Sequence, residues 1–501
     1  MTTLLIAAIT STAIAYETAI LPKPVKFSEL PGSYVTEGGV PLQAVARFKT
    51  DASVPKEGYR LKIRTDGIEI EHSTEAGRFY ALKTLGQIAR TRPDGKVAYK
   101  CVDIDDAPYY RHRGVMLDEG RHFFGKKAVL NLLDLMAEYK MNVFHWHLTE
   151  DQGWRLEIKS HPELVEYGAI RPSSPKRGTI DVDDGIPYGP YFHTQDDVKE
   201  VLAYAKERHI TVYPEIEMPG HIRALIAAHP ELLCDGVKLD RRTAWSEWGV
   251  SDHVLCLGNP ATYKLLDDIF GEVARLFPDA PYIFTGGEEC TSKNWAQCPK
   301  CREVMKREGI TEPRKLQAWF SHRIYDLIKS HGKRMAGWSS LLDDGLPKDV
   351  MMGTGYGTYG DGPAGLGYEA VMSPVEYCYF IHSQGVPNDP YDYAWFWSGS
   401  VSVNQVYSFD PCYGVSPKFR KHVAGGEAHM WSEYTNDIAD LEWKLWPRCF
   451  AMAEALWSHP EIAFEINDFA RRLKVHSGKL RARGINVAPF ELQGMQRLYK
   501  K

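Results

Sequence analysis

The chain has no surplus of one charge. Its 60 Lys and Arg stand against 65 Asp and Glu, a net charge of -5, and the basic residues are spread evenly. Without a basic stripe, nucleic acid is excluded as a partner. Beyond the N-terminal segment no run reaches the roughly 18 apolar residues that a membrane-crossing helix requires, so no membrane span is expected. There is no internal repeat and no low-complexity linker. Cysteines number nine, an odd count that cannot be fully paired within one chain. What remains, 44% hydrophobic and 25% charged residues, is the composition of a folded globular protein, not a disordered one. At 501 residues the chain can hold a full barrel of about 250 to 400 residues with a smaller domain beside it.

The N-terminus is also short of something. Met1 to Tyr16 contains an apolar core ending in Ala13, Ile14 and Ala15, a small-x-small cleavage pattern, but no basic residues precede it. Residues 1–19 are read as a possible signal peptide, which makes the protein an exported one, periplasmic or extracellular. The competing reading is a buried first strand.

Residues 20–107 read as a small α+β domain. Tyr59 to Arg64 and Ile68 onward alternate apolar and polar like half-buried strands, with Asp66-Gly67 as the turn between them. From Thr74 to Arg90 apolar residues recur at helical spacing (Ala76, Phe79, Tyr80, Leu82, Leu85, Ile88). Residues 108–460 change character. Strand-like runs such as Gly114 to Leu117, Asn142 to His147, Thr211 to Ile216, Tyr282 to Phe284 and Arg334 to Trp338 alternate with helical stretches. Repeated β-then-α units predict a parallel sheet, and this many favour closure into a (β/α)8 TIM barrel, an α/β fold. Residues 461–501 read as a helical tail, with Ala470 to Arg483 as its helix.

Polar residues gather where these strands end, the face on which barrel active sites are built. Asp118 to His122 follow the first strand and His145 to Asp151 the second; Pro214 to His221 follow the third. Glu288 and Glu289 come next, after Gly286-Gly287, then Trp338 and Tyr377 to Tyr379, and Gly426 to Glu433 come last. Singly, each has a packing explanation; repetition of strand followed by acid, His or Trp does not. A carboxylate pair at a strand's C-terminal end points to acid/base chemistry. The 13 Trp and 27 Tyr suit stacking on sugar faces, although large barrels also use aromatics as core. His145 and His147 fall on one strand face, but no H-E-x-x-H or comparable set accompanies them, so no catalytic metal and no cofactor are expected. Cys290, Cys298 and Cys301 form C-x7-C-x2-C; a fourth ligand such as Cys234 could complete a zinc site, with one disulfide or buried free thiols as alternatives.

At this point the sequence resembles glycoside hydrolase family 20, the β-N-acetylhexosaminidases. The likeness lies in R-G-V-M-L-D-x-x-R-H-F-F (113–124), N-V-F-H-W-H-L-T-E-D-Q-G-W-R (142–155), Y-P-E-I-E-M-P-G-H (213–221) and G-G-E-E (286–289). It continues through L-C-L-G-N, A-G-W, S-P-x-x-Y-x-Y and G-G-E-A-H-M-W-S-E. The resemblance implies removal of a terminal β-linked N-acetylated amino sugar from an oligosaccharide or glycoconjugate, with retention of configuration. In this family the substrate's own 2-acetamido oxygen attacks the anomeric carbon. Glu289 matches the general acid, which needs a proton affinity raised by burial and negative neighbours. Glu288 matches the residue orienting the acetamide nitrogen, and His221 with Glu150 a His–acid relay behind the acid. Arg121 matches the arginine gripping sugar hydroxyls, Glu433 a hydroxyl ligand, Trp338 and Trp431 the acetamide pocket walls, and Tyr379 a donor to the acetamide oxygen. Several members of the family are dimers, which leaves a dimer open here.

The chain departs from the family pattern in these same places. The family has Asp where Glu150, Glu217 and Glu288 stand, His where Phe284 stands, and often Asp at Ile381. Each Asp-to-Glu change adds about 1.5 Å of reach, and a misplacement near 1 Å can cost roughly a hundredfold in rate. One alternative is therefore a remodelled subsite for a non-acetamido or sulfated sugar, with Glu288 as nucleophile and a substrate that is apolar or anionic at the rim where Ile381 stands. A second alternative is a silent sugar-binding protein, against which stand Glu289, Arg121, His221 and Tyr379.

Overall fold

Tyr59, Leu61 and Ile63 are buried while Lys62 and Arg64 point to solvent, and that alternation makes one face of a sheet. The computed structural model describes residues 18–179, 182–355, 360–386, 389–391, 399–458, 460 and 465–490. The chain divides into two compact units, 1–107 and 108–501.

The first unit is an open sheet with one long helix. Its strands are β1 (Lys26–Thr36), β2 (Ala46–Thr50), β3 (Tyr59–Arg64), β4 (Gly67–His72), β5 (Arg90–Thr91) and β6 (Val97–Asp106). They lie in the order β1-β6-β3-β4-β2, with β5 paired to β6. The β3–β4 turn is Thr65-Asp66, one residue earlier than the sequence predicts: Gly67 takes ordinary strand backbone and pairs with Arg64. Helix Glu75–Ile88 begins where Thr74 Oγ1 accepts a hydrogen bond from the Gly77 amide, satisfying an otherwise orphaned donor. The proposed leader, 1–19, lies outside the described residues up to 17; Thr18 and Ala19 are buried in this unit.

The second unit is a closed barrel of eight parallel strands. These are β7 (His112–Asp118), β8 (Val143–His147), β11 (Thr211–Glu215), β12 (Tyr282–Phe284), β13 (Arg334–Trp338), β14 (Met351–Gly353), β15 (Glu369–Met372) and β16 (Val423–Met430). A short hairpin, β9 (Thr149–Glu150) with β10 (Gly153–Trp154), follows β8. Helices Gly125–Glu138, Gln195–Lys206, Pro260–Leu276 and Leu316–Ser330 link the early strands. Each buries one apolar stripe, as helices flanking a barrel must. Inside the barrel Val143, Tyr213, Tyr282, Phe284, Trp338, Met351 and Val371 form an apolar cluster. Helix Ile466–Ala482 spans much of the C-terminal segment. Among the described residues no helix is long and apolar enough to cross a membrane.

Candidate active site

Parallel strands fix which residues meet at the barrel mouth. In register, His147 stands beside Asp118 on one side and Glu215 on the other. Phe284 neighbours Ala336, and Trp338 neighbours Gly353. The side chains just beyond these positions enclose a cavity of about 330 Å³, and Arg121, Glu150, His221, Glu288, Glu289, Trp338, Tyr379, Trp431 and Glu433 all line it. Glu217, Gly249, Val250 and Tyr434 complete the lining.

A chain of alternating charges runs across one wall. Arg121 Nη2 lies 2.7 Å from Glu150 Oε1 and 3.9 Å from Glu433 Oε1, and Nη1 donates to Asp118 Oδ2 at 3.2 Å. Glu150 Oε2 lies 3.1 Å from His221 Nδ1, and His221 Nε2 lies 3.4 Å from Glu289 Oε2. Burial opposes charge on Glu150, but Arg121 and then His221 hold its carboxyl well below the usual range. Burial likewise opposes charge on His221, and Glu150 with Asp151 lifts it well above the ordinary histidine value. His221 and Glu289 both take positive φ, +52° each, a conformation that costs free energy for residues with side chains and persists where surrounding structure imposes it.

The two adjacent glutamates differ sharply. The Glu289 side chain is 56% exposed and its contact with His221 lowers its carboxyl. Glu288 is more enclosed, and burial, with the Glu289 charge next, pushes it up to about 7. The expectation of a raised Glu289 is thus corrected: the imidazolium of His221 outweighs the negative neighbours, and it is Glu288 that holds a proton near neutrality. Glu217 is fully buried, and burial followed by the Glu215 charge pushes it up to about 8. Its carboxylate fills the space where a Gly286 side chain would stand, so that glycine, at φ +63°, is required.

The opposite wall is aromatic. The Trp338 ring lies 5.0 Å from Phe284, 5.2 Å from His429 and 6.0 Å from Trp431, and Tyr379 lies 6.2 Å from Trp431. The Arg121 guanidinium sits 5.1 Å over the Trp431 ring, a cation–π contact that fixes both. Phe284 packs 4.2 Å from the His145 ring, beneath the cavity floor. Ile381 is buried and is not part of the lining, so no rim is formed there.

Beneath the floor lies a charge network that the motifs contained without revealing its connections. His145 stands 2.8 Å from Glu427 and 3.0 Å from Glu215; His147 bonds Glu215 and lies 3.4 Å from Glu150. His112 reaches Glu427 at 3.1 Å. Burial works against charge on His145, yet Glu427 and Glu215 bring it to about 9. His147 is raised well above its ordinary value despite burial, chiefly by Glu215. The raised proton affinities of His145, His147 and His221 give these imidazoles positive charge, which with Arg121 balances the buried carboxylates. The H-x-H spacing placed both histidines inside; only the β8–β11 register identifies Glu215 as their shared partner. Of the three cysteines after the glutamates, Cys290 stands apart, while Cys298 and Cys301 join Cys234 and Cys256.

A closed parallel barrel with a carboxylate-and-arginine pocket at its strand ends is built as glycoside hydrolases are. The model of the glycosyl hydrolase family 20 catalytic domain matches residues 110–460, and that of the family's domain 2 matches 25–107. The chain belongs to glycosyl hydrolase family 20. It is similar to a beta-hexosaminidase of Porphyromonas gingivalis, 35% identical over 448 residues covering 87% of this chain and 55% of that one. A beta-hexosaminidase of Vibrio furnissii is 34% identical over 419 residues, 81% of this chain and 66% of that one. The chain therefore spans between about half and two thirds of the length of these relatives. A solved exo beta-N-acetylglucosaminidase of family 20 from Vibrio harveyi, in complex with N-acetylglucosamine, superposes with a TM-score of 0.83 at 29% identity, covering 94% of this chain and 78% of that one.

Proposed function

We propose that this protein removes a terminal β-linked N-acetylhexosamine, GlcNAc or GalNAc, from the non-reducing end of glycans, with retention and by substrate-assisted catalysis. The observation that carries the reading is the continuous line Arg121–Glu150–His221–Glu289 along a cavity whose other wall is Trp338, Tyr379 and Trp431. A cavity near 330 Å³ is at the small end of the roughly 300–1,000 Å³ range of ligand sites, which suits one sugar ring and an exo action. Arg121 and Glu433 bind ring hydroxyls, and the aromatic wall encloses the acetamide with Tyr379 donating to its oxygen. Glu289 gives its proton to the leaving oxygen as the acetamide oxygen attacks the anomeric carbon; its carboxylate then takes a proton from the incoming water. Glu288 accepts from the acetamide N–H. Because His221 is charged and touches Glu289, it supplies the proton that Glu289 passes on, and Glu150 stabilises the imidazole in both states.

The test is initial rates on aryl β-glycosides of GlcNAc, GalNAc, Glc, Gal and 6-sulfo-GlcNAc, with and without a thiazoline mimic of the cyclised intermediate. Hydrolysis of an acetamido sugar, blocked by the thiazoline, is expected. Turnover of plain hexosides alone, insensitive to the thiazoline, overturns the reading and makes Glu288 the nucleophile. Export, the reading of residues 1–19, is tested separately by fractionating cells that express the full chain; retention in the cytosol refutes it.

A further inference from the structure

Four cysteines from three separate segments bring their sulfurs together on the flank of the barrel mouth. Cys234 ends the stretch after helix Arg223–Ala228, Cys256 precedes helix Pro260–Leu276, and Cys298 and Cys301 bracket the start of helix Pro299–Arg307. All four are buried, with fractional exposures of 2% or less. Cys234 Sγ lies 3.8 Å from Cys301 Sγ, and Cys256 Sγ lies 3.7 Å from both Cys298 and Cys301. All four sulfurs fall within 4.8 Å of one another.

These distances decide between chemistries. A disulfide has its sulfurs about 2.05 Å apart and pairs each with one partner. Here Cys256 and Cys301 each have two near neighbours at almost twice that separation. A tetrahedral site with Zn–S bonds of about 2.3 Å puts its sulfurs about 3.8 Å apart, the edge of the tetrahedron, and the observed spacings match that edge. The backbone is shaped to the same end. A side chain at Gly258 would overlap the Lys300 carbonyl, so the chain after Cys256 can cross the turn between Cys298 and Cys301 only as glycine. The Cys256 amide donates to the Leu232 carbonyl at 2.8 Å and Leu233 pairs with Leu255, closing the base of loop 235–255.

We propose that Cys234, Cys256, Cys298 and Cys301 bind one structural zinc ion, and that this ion clamps the two segments flanking the sugar cavity. Loop 235–255, tied at both ends by ligands, carries Gly249 and Val250 into the cavity wall. Along it, the Ser251 amide donates to Asp151 Oδ2 at 3.1 Å, beside His221. The other segment runs from Glu289 to Cys298 and docks on the loop, where Asn294 Nδ2 donates to the Asp252 carbonyl and Trp295 Nε1 to the Leu255 carbonyl. The site is closed, with four protein ligands and no open position, so its role is to hold backbone and not to activate water.

The test is metal analysis of the intact protein, purified without chelator, with thiols counted after denaturation and alkylation. About one zinc per chain is expected, released on denaturation, and replacement by cobalt should give the thiolate-to-metal charge-transfer bands and ligand-field bands of a tetrahedral site. Cys298→Ser with Cys301→Ser should abolish metal binding, whereas Cys290→Ser should leave the metal content unchanged. Stripping the zinc should raise KM more than it lowers kcat, because Gly249 and Val250 lose their support. Protein purified or anaerobically refolded with zinc that holds no metal overturns the proposal, as does alkylation that finds these four thiols oxidised to disulfides. Neither metal count nor spectrum depends on the substrate, so failure here is distinct from failure of the glycosidase reading.

Discussion

Replacing Glu217 by Gln should stabilise the protein at alkaline pH and leave it nearly unchanged in acid. Glu217 is 3% exposed, its Oε2 has no hydrogen-bond partner, and burial with the Glu215 charge raises it from the ordinary 4.5 to about 8. Its folded value lies above its unfolded one, so its contribution is fully present below about pH 4.5 and is lost progressively as pH rises from there through about 8. The full gap corresponds to roughly 5 kcal/mol at pH well above 8. Water entry and relaxation around a buried charge trim such penalties, which leaves about 2 to 3 kcal/mol to be read. Glutamine has the shape of the protonated acid and cannot ionise. For a barrel of this size, with an unfolding entropy near 0.8 kcal/mol/K, the difference is about 3 °C in Tm. Thermal unfolding of both proteins at one scan rate, at pH 6, 7.5 and 9, is the assay. The gap in favour of Glu217→Gln should widen with pH, from about 1 °C at pH 6, where part of the window above 4.5 has already been crossed, to about 3 °C at pH 9. A constant offset at every pH, or a less stable variant at pH 9, refutes the reasoning.

Three further outcomes are expected. Glu289→Gln should lower kcat/KM by about 10³ for substrates with poor leaving groups, and much less for a dinitrophenyl glycoside, whose departure needs no proton; equal losses would exclude Glu289 as the acid. Arg121→Ala should cost roughly 3 to 5 kcal/mol of stability, because it leaves Glu150 and Asp118 buried without their cation, and denaturant unfolding that finds no loss would show that another cation serves them. In the wild type, kcat/KM should rise with pH through about 7 as Glu288 ionises, and Glu288→Gln should remove that limb; an unchanged limb in the variant assigns it to another group.

The barrel was legible because its strands are short apolar runs separated by amphipathic helices, a pattern that survives without any tertiary information. The site was legible in its residues, since most lie at or within a few residues of a strand's C-terminal end. What sequence could not supply were the relations set by strand register and loop closure. Glu215 becomes the partner of His145 and His147 only because β8 and β11 pair Glu215 with His147. Cys256 displaces Cys290 from the sulfur cluster because Leu233 and Leu255 pair, carrying Cys256 inward. Ile381 stands where the family pattern often has an acid, yet its side chain is buried and lies outside the cavity lining. The order of proton affinities in the Glu288–Glu289 pair is the reverse of what a raised Glu289 implies, because His221 touches Glu289 while Glu288 is the more enclosed.

That reversal bears on the chemistry of the pair. Without substrate the proton near neutrality sits on Glu288, and Glu289 is an anion facing charged His221. Catalysis by the proposed route needs the opposite arrangement, Glu289 protonated and Glu288 ionised. A bound acetamido sugar provides both changes. Its N–H donates to Glu288 and favours the carboxylate there, while the ring covers Glu289 and excludes the water that stabilised its charge. His221 then delivers its Nε2 proton to Glu289 without any long-range transfer. A plain hexoside covers Glu289 but offers Glu288 no N–H donor and has no acetamide oxygen to attack the anomeric carbon. On the proposed route discrimination between acetamido and plain sugars should therefore appear in kcat and not only in KM.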